Sequence, residues 1–588
     1  MRIHIGQNRT TGSAVELPTA AFVRHLHLVG FSGSGKTTAL LTLLQDLLRD
    51  PIEKRCVVIV DRLGGFSLDL LRWFSSPFCP EHARRRLLYV EPSREDVVMP
   101  MNPLLYATAG EGYYRTARAT ELVLRGWASQ DISQMPRLAR WLFNSFWAAA
   151  QCGLTIGDCV HLLRPNSPLH RPLIGVLPES LRWEWHQILN AHGNQAEVQL
   201  ESCRNRLTPI FESPALRATF SSTRNYLDVL RWMRERRIVV INLAPNGVLP
   251  ETIADTIGGM VVNEVFSVAR SLPPEQRVET LLCLDEFQRF VNADLEFSLA
   301  ESRQLKTRLI LSHQSFSQLE RGDVDLTALI FQAQTRMILS VHGPDATLLA
   351  EELAALTFQP DRIKDEIWNR CQRISGHRVV ELSSHSQSEQ LARQWSESHG
   401  ESRGQGQSTS RRGTGSETTK SESGQDSTQA NRGKGGSEST GSSSGWHQSL
   451  VPIYEEFLQL SSRNYVSFEE QKHEWGKRLR ELRTGEALLK IVNDARLHEL
   501  IVRRSAPGHL GLDWDVVRRR MPKVADAYDR MLAENFSQAD CFVTPSIIER
   551  DTNERLQRIL QPRLEISTTT DSDANPNAEG TNESPFSA

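Results

Sequence analysis

Short apolar runs that end at turn residues characterise the first hundred positions of the chain. HLHLV (25–29), CVVIV (56–60) and LLYV (87–90) are followed by Gly, Asp or Glu-Pro, which is typical of buried parallel strands. Between the first two runs, residues 38–48 carry leucines at helical spacing, and Pro51 follows as a stop signal. This pattern predicts a strand–helix–strand unit.

A helical pattern replaces the strand pattern between residues 105 and 235. Apolar positions recur there at helical spacing, as in LARWLFNSFWAAA (138–150), and strand-like alternation is scarce. Apolar runs separated by helical segments then return: RIVVINL (237–243), LLCL (281–284), RLILS (308–312) and RMILSV (336–341). The whole pattern predicts an α/β fold with a mainly parallel sheet, interrupted by an all-helical insertion.

The composition changes sharply between about Ser384 and Gly445. This stretch consists mostly of Ser, Gly, Thr, Gln, Glu and Arg, and past Trp395 it has no large apolar side chain. It cannot bury enough surface to offset its chain entropy, so we expect a disordered linker or loop. Beyond it, one amphipathic helix and the runs ALLKIV (487–492) and LHELIV (497–502) indicate a return to ordered structure.

Length, charge and cysteine usage exclude several classes of protein. The 588 residues have a formal net charge of −3, which excludes a uniformly basic nucleic-acid coat but not a local basic surface. The eight cysteines form no CxxC pair, so we expect neither a zinc site nor disulfides. This cysteine usage is typical of a protein in a reducing cytoplasm. No apolar run is long enough to span a membrane. We therefore expect a cytoplasmic protein that reaches membranes only through partners.

The segment GFSGSGKT follows the first predicted strand and opens a helix. It matches the phosphate-binding pattern G-x-x-x-x-G-K-[ST] in full. In this pattern Lys36 reaches the β- and γ-phosphates, and the Thr37 hydroxyl binds Mg²⁺. The motif thus predicts an ATP site with Mg²⁺. Its predicted nucleotide-binding residues are Gly30, Phe31, Ser32, Gly33, Ser34, Gly35, Lys36, Thr37 and Thr38.

An acidic pair ends the apolar run LLCLDE. Asp285 is placed to hold the Mg²⁺ shell, and Glu286 to act as the general base that polarises the attacking water. The rival run, CVVIVD, ends at Asp61, but Arg62 follows it in place of a second acid, and it comes too soon after the predicted phosphate-binding helix. We interpret Asp61 as a strand-end turn residue that braces the site.

A glutamine and two arginines complete the candidate chemistry. Gln314 ends the strand RLILSH, where an amide beside the γ-phosphate orients water and senses that phosphate. Arg303 and Arg308 precede that ending, and either is a candidate arginine finger. His25 and His27 alternate on the first strand. Without a third ligand we interpret them as structural.

Taken together, these segments resemble the FtsK/HerA superfamily of hexameric motor ATPases. Within it, the chain most resembles the TraD/TraG-like coupling proteins of conjugative type IV secretion. The resemblance is carried by HLHLVGFSGSGKT, VVIVD, MNPL (101–104), LLCLDEF with Arg303 beyond it, and SHQSFSQL (312–319). It implies a RecA-like core that assembles as a homohexameric ring and pumps DNA with ATP, with secretion-channel proteins as partners. It also implies that Arg303 is a finger acting on the neighbouring subunit and Gln314 a sensor, with Arg308 as the fallback finger.

The resemblance also sets the expected domains and leaves the function open. The phosphate-binding segment GFSGSGKT, the P-loop, begins at residue 30. We therefore expect a soluble form of the coupling proteins without transmembrane helices, or a member of a HerA-like or defence-associated branch of the superfamily. The predicted domains are 1–104 (first part of the ATPase core), 105–235 (helical insertion), 236–383 (second part of the core), 384–445 (linker), 446–505 (core completion), 506–564 (helical C-terminal region) and 565–588 (disordered acidic tail).

Three functions stay open on the sequence. The first is a DNA translocase, the second a secretion ATPase that acts on protein substrates, and the third an ATP-gated regulator. The acidic pair with Gln314 and an upstream arginine favours turnover over binding alone. No base-reading motif is visible, so the choice of DNA depends on the resemblance. A small-molecule kinase is a weaker reading, because the helical insertion is far larger than a kinase lid needs.

Overall fold

The described part of the chain forms two compact units. The computed structural model describes residues 2–52, 54–127, 135–190, 195–290, 301–302, 304–321, 324–387, 442–494 and 496–560. One unit is built from the chain up to Gln359 and from Ser467 onward, and the other is Pro360–Val466. Arg303, most of the predicted linker (388–441) and the predicted acidic tail (565–588) lie outside the described residues.

The larger unit is built on an eleven-stranded sheet in the order β2-β1-β15-β14-β11-β3-β8-β7-β4-β6-β5. From β11 to β5 every neighbouring pair is parallel, and from β2 to β11 every pair is antiparallel. The predicted α/β class with a mainly parallel sheet is confirmed. Within the described part of the chain, the strands are β1 Arg2–Asn8, β2 Ala14–Pro18, β3 Leu26–Val29, β4 Cys56–Asp61, β5 Leu87–Val90, β6 Ile238–Asn242, β7 Thr280–Asp285, β8 Thr307–His313, β9 Glu320–Arg321, β10 Val324–Asp325, β11 Thr335–Ile338, β12 Ile363–Gln387, β13 Ser442–Tyr465, β14 Glu486–Lys490 and β15 Leu497–Val502.

Helices cover both faces of this sheet. Those between β5 and β6 form the predicted helical insertion, and the last three belong to the C-terminal region. The helices of the described residues are α1 Lys36–Arg49, α2 Gly65–Phe74, α3 Glu81–Arg84, α4 Ala109–Trp127, α5 Pro136–Gln151, α6 Cys159–Leu162, α7 His170–Val176, α8 Glu179–Leu189, α9 Gln195–Glu212, α10 Pro214–Phe220, α11 Val229–Glu235, α12 Glu251–Ser271, α13 Thr327–Ile330, α14 Gly343–Thr357, α15 Phe468–Glu481, α16 Trp514–Arg520, α17 Pro522–Phe536 and α18 Pro545–Leu560. None of these described helices combines the length and hydrophobicity needed to cross a membrane.

Burial on both faces explains why the central strands are almost wholly apolar. In β7, Leu281 and Cys283 pack into a core with α1 and α2, while Leu282 and Leu284 pack into a second core with the inserted helices. Successive side chains of a strand point to opposite faces. A strand covered on both sides therefore reads as a continuous apolar run.

The strand order brings the predicted site residues together at the carboxyl ends of three neighbouring strands. β8 lies between β3, which leads into the P-loop, and β7, which ends at the acidic pair. All three strands are parallel, so their carboxyl ends meet at the same edge. This arrangement agrees with the predicted RecA-like core.

The C-terminal helix α17 covers the β5 edge of the sheet. The side chain of Asn535 accepts a hydrogen bond from the backbone N–H of Tyr89 and donates one to its carbonyl, both at 2.8 Å. Because β5 is the last strand of the order, those backbone groups have no strand partner on that side. The amide of Asn535 takes the place of a neighbouring strand.

The smaller unit contains a ribbon that the sequence pattern did not predict. β12 and β13 pair antiparallel from Ile363↔Tyr465 to Gln387↔Ser442, with three register shifts. Both strands extend into the expected linker, over residues 384–387 and 442–445. Large side chains such as Trp368 and Leu458 are exposed, because a two-stranded ribbon has no covered face. The register shifts and the missing core removed the alternation by which strands are recognised.

Candidate active site

The loop between β3 and α1 has the backbone geometry of a phosphate-binding turn. Gly33 and Gly35 have φ angles of 81° and 108°, in the left-handed region that favours glycine. A Cβ on Gly30 would lie 2.6 Å from Ser34 Oγ, so glycine is needed there for close approach. The loop therefore depends on its three glycines to turn sharply into α1.

The start of α1 offers backbone donors to an anion. Gly35 at the N-cap provides no side-chain hydrogen bond, so the N–H groups of Lys36, Thr37 and Thr38 have neither a side-chain cap nor an intrahelical acceptor. The positive end of the helix dipole adds to their attraction for a phosphate. Ser34 is buried, and its Oγ has no hydrogen-bond partner among the described residues. These features fit a bound phosphate group.

Lys36 lies along this loop and close to the acidic pair. Its Nζ donates to the carbonyls of Gly30 and Phe31, at 2.7 and 3.3 Å. Burial lowers the pKa of Lys36, while Glu286 and Asp285 act in the opposite direction. The ammonium group thus contacts the loop and interacts electrostatically with both carboxylates.

Asp285 ends β7 in a buried position. Burial and the repulsion from Asp61 raise its pKa to about 7, and Lys36 opposes this rise. Its Oδ1 is buried and has no hydrogen-bond partner among the described residues. A buried carboxylate oxygen left unpaired among the described residues, on a side chain that interacts electrostatically with Lys36, suits an Mg²⁺ ligand, because Mg²⁺ prefers oxygen donors.

Asp61 uses both carboxylate oxygens to hold the turn into α2. Oδ1 accepts from the N–H groups of Leu63 and Gly64 at 2.9 Å, and Oδ2 accepts from that of Ser67 at 2.7 Å. In the sheet Asp61 lies directly beside Asp285. The carboxylate therefore braces a strand-end turn, as predicted from the sequence, and also raises the pKa of its neighbour.

Glu286 meets two glutamines at the edge of the sheet. Gln314, immediately after β8, donates from Nε2 to Glu286 Oε1 at 2.7 Å, and Gln288 donates from Nε2 to Oε2. The structure therefore brings Gln314 to the predicted base. Gln288 was missed by sequence reasoning, because an amide two residues beyond an acid carries no recognisable signal.

Of the two candidate arginine fingers, the structure describes only Arg308, which is not part of this cluster. Arg303 lies outside the described residues. Arg308 lies near the start of β8, at the amino ends of the parallel strands, whereas the cluster lies at their carboxyl ends. Its guanidinium is 3.8 Å from Glu279. At about 3.3 Å per residue, the six residues to Gln314 correspond to roughly 20 Å. Arg308 is therefore far from Glu286 of its own chain.

A late segment of the chain also touches the P-loop. The N–H of Gly485 donates to the carbonyl of Ser34 at 2.9 Å, and Thr484 Oγ1 donates to that of Gly33 at 3.3 Å. A Cβ on Gly35 would lie 3.2 Å from the Gly485 nitrogen. The turn before β14 thus supports the P-loop backbone.

Behind the site, a buried hydrogen-bond chain joins three strands. Arg336 Nε donates to His27 Nδ1 at 3.0 Å, the Nε2 atoms of His27 and His313 are 2.7 Å apart, and His313 Nδ1 is 3.1 Å from the carbonyl of Ser315. Since arginine only donates and a carbonyl only accepts, His27 carries its proton on Nε2 and His313 on Nδ1. Burial lowers the pKa of both histidines. The pair of His27 and His313 thus has a structural role. His25 is not part of this hydrogen-bond chain, and its Nε2 is hydrogen-bonded to the hydroxyl of Ser302.

Several solved structures are similar to this chain. The unbound monoclinic form of the bacterial conjugative coupling protein TrwBdeltaN70 matches with a TM-score of 0.44 and 14% identity, over 86% of this chain and 89% of that chain. The plasmid coupling protein TrwB in complex with ADP and Mg²⁺ matches with a TM-score of 0.43 and 13% identity, over 85% and 89%. VirB4 of Thermoanaerobacter pseudethanolicus matches with a TM-score of 0.36 and 12% identity, over 60% and 87%. At these TM-scores the similarities carry no conclusion about activity. No protein-family model and no curated protein matches the chain.

Proposed function

We propose that this chain is an Mg²⁺-dependent ATPase that acts as a ring-forming DNA translocase. The observation that supports hydrolysis most directly is the carboxylate of Glu286, which lies in hydrogen-bond contact with Gln314 at the edge where β3 opens into the P-loop. A site for binding alone needs the P-loop, but it needs no oriented base beside it.

Each residue has a defined role in this reaction. Lys36 and the first N–H groups of α1 bind phosphate oxygens. The Thr37 hydroxyl and Asp285 would hold Mg²⁺, which would neutralise phosphate charge. Glu286 takes a proton from the attacking water, and Gln314 orients that water. The oxygen of the water bonds to the γ-phosphorus as the bond to the leaving ADP oxygen breaks. Arg303 of a neighbouring subunit stabilises the charge that develops.

The translocase part of the proposal is supported by the sequence resemblance. On that basis we propose a homohexameric ring in the cytoplasm, with DNA as cargo and secretion-channel proteins as the link to a membrane. With a net charge of −3, any DNA contact depends on local basic groups inside such a ring.

Hydrolysis is tested with substitutions at the site. Lys36→Ala is expected to lose nucleotide binding, whereas Glu286→Gln is expected to bind ATP and to turn over at least about 100-fold more slowly, because only the base is lost. Glu81→Gln is the matched control, since Glu81 is an exposed carboxylate on α3. A wild-type rate for Glu286→Gln would show that the assignment of the base is wrong.

The cargo is tested by measuring ATP hydrolysis with and without single- and double-stranded DNA at low and moderate salt. We expect DNA to stimulate hydrolysis and to bind with a steep inverse dependence on salt, because phosphate contacts release counterions. If an assembled ring neither binds DNA nor responds to it at low salt, the secretion ATPase acting on protein substrates becomes the better explanation.

A further inference from the structure

The carboxylate of Glu286 is held on both oxygens by side-chain amides. Gln314 Nε2 contacts Oε1, and Gln288 Nε2 contacts Oε2. A carboxylate with one donor still rotates about its terminal bond, whereas a donor on each oxygen fixes the plane of the group. The amide of Gln288 is therefore what turns a single contact into a fixed orientation.

The amide of Gln288 has a defined orientation of its own. Its Nε2 lies between two acceptors, Glu286 Oε2 and Gln318 Oε1, the latter at 3.1 Å. An NH₂ group has two hydrogens, so both contacts are satisfied together. Its Oε1 is buried and has no hydrogen-bond partner among the described residues. The reversed amide would bring an oxygen against each acceptor, so only one orientation is compatible with the site.

The backbone around Gln288 is held by packing. Gln288 lies in the turn Phe287–Phe290 directly after β7 and is only 6% exposed. Phe287 and Phe290 are buried in the core on either side of it. Glu286 has a φ angle of 53°, and its carbonyl accepts from the N–H of Arg289 at 3.0 Å. A left-handed conformation at a residue that is not glycine is costly and persists where the surroundings impose it, often at functional sites.

We propose that Gln288 is a positioning residue for Glu286, and that Gln318 keeps the amide of Gln288 in place. Gln288 acts through the carboxylate and does not touch the nucleotide. The inference rests on the ATP hydrolysis proposed above. It adds a residue on which the orientation of the base depends, and it ties the turn after β7 to the turn Phe316–Gln318 that precedes β9.

The first test replaces Gln288 by methionine, which keeps the length of the side chain and removes both donors. We expect kcat for ATP hydrolysis to fall roughly tenfold, because small misplacements of a catalytic group cost large factors in rate. KM and the affinity for a non-hydrolysable ATP analogue should not change. Gln318→Met should lower kcat in the same direction by a smaller factor. Gln276→Met, at an exposed glutamine, is the matched control.

A double-mutant cycle separates positioning from general damage. In the Glu286→Gln background, measured by single turnover over long times, Gln288→Met should cause no further loss, because the group it positions is already gone. An equal tenfold loss in that background, or a weakened affinity for the analogue, would overturn the proposal.

The outcomes also separate this inference from the function on which it rests. If the wild-type protein fails to hydrolyse ATP, both are wrong. If it hydrolyses ATP, and Lys36→Ala and Glu286→Gln are inactive, but Gln288→Met retains its full kcat, only the role of Gln288 is wrong.

Discussion

Asp285 and Glu286 are neighbours in sequence, yet their two carboxyl groups lie in opposite surroundings. Asp285 is buried beside Asp61, which with burial raises its pKa to about 7, and one of its oxygens is unpaired among the described residues. Glu286 receives two amide donors. Different surroundings are how paired carboxyl groups acquire different roles. The difference supports metal binding for Asp285 and proton transfer for Glu286.

The two buried histidines predict a pH dependence of stability. Burial lowers the pKa of His313 to about 4, and that of His27 falls well below its ordinary value. Below pH 6.5 the unfolded chain binds protons that the folded protein excludes, so stability falls as the pH drops from about 6.5 to about 4. For His313 the loss approaches about 3 kcal/mol at pH 4.

The measurement is Tm between pH 7.5 and 5 for wild type and His313→Gln. The carboxyl of Asp285, whose pKa is raised to about 7, stabilises the folded state towards lower pH and acts in the opposite direction. The effect of His313 is therefore given by the difference in the pH dependence of Tm between wild type and His313→Gln. We expect a smaller drop with pH in His313→Gln, and no change of slope in His473→Gln, an exposed control. Parallel slopes for wild type and His313→Gln would contradict the buried neutral pair.

Asp61 provides a second test at the scale of single residues. Asp61→Ala removes the acceptor of three backbone N–H groups at the start of α2. We expect the free energy of unfolding in urea to fall by about 2 kcal/mol, because all three donors lose their partner and two of the three hydrogen bonds are buried. Asp61→Asn keeps one acceptor oxygen and should lose less. Equal stability of both variants and the wild type would show that the turn does not need the carboxylate.

Among the elements, the β5 edge depends on one side chain of α17. Asn535→Leu leaves the buried N–H and C=O of Tyr89 without their partner. We expect a loss of about 3 kcal/mol in the free energy of unfolding, since each unsatisfied buried group costs about 1–3 kcal/mol. Asn553→Leu, at an exposed position of α18, should change it by less than about 0.5 kcal/mol. Similar values for the two variants would remove Asn535 from this role.

The central strands could be predicted from sequence because each is buried on both faces and reads as an apolar run. β3, β4, β7 and β8 were found in this way. β1 and β2 were missed, because their short apolar runs are broken by polar residues. β1 pairs with β2 on one side and with β15, from the far end of the chain, on the other. Gln288 was missed for a related reason: its contact with Gln318 depends on how two turns meet, and no local pattern encodes that.

At the scale of the whole molecule, the proposed ring predicts complementation between two inactive variants. Arg303→Ala should bind ATP but lose most hydrolysis, since an arginine finger contributes on the order of 10³-fold or more. Lys36→Ala should be inactive for its own reason. Mixed rings contain interfaces where an intact P-loop meets an intact Arg303, so activity should partly return when the two proteins are mixed. If mixed rings form and stay inactive, Arg303 is excluded, and the proposed finger either moves to Arg308 or is abandoned.

Because α17 covers the outer edge of β5, that edge stays uncovered during synthesis until α17 has been made. Tyr89 and Asn535 are 446 positions apart in the chain. At about 5–20 residues per second, a ribosome needs roughly 20–90 s to travel from one to the other. Throughout that interval the nascent β5 presents bare backbone donors and acceptors, the feature that recruits other chains into aggregates. β15, the partner of β1, also leaves the ribosome late. During synthesis, strands β5 and β1 therefore both lack the late segments that contact them in the folded protein. The risk of aggregation through these strands falls only after β15 and α17 have been synthesised.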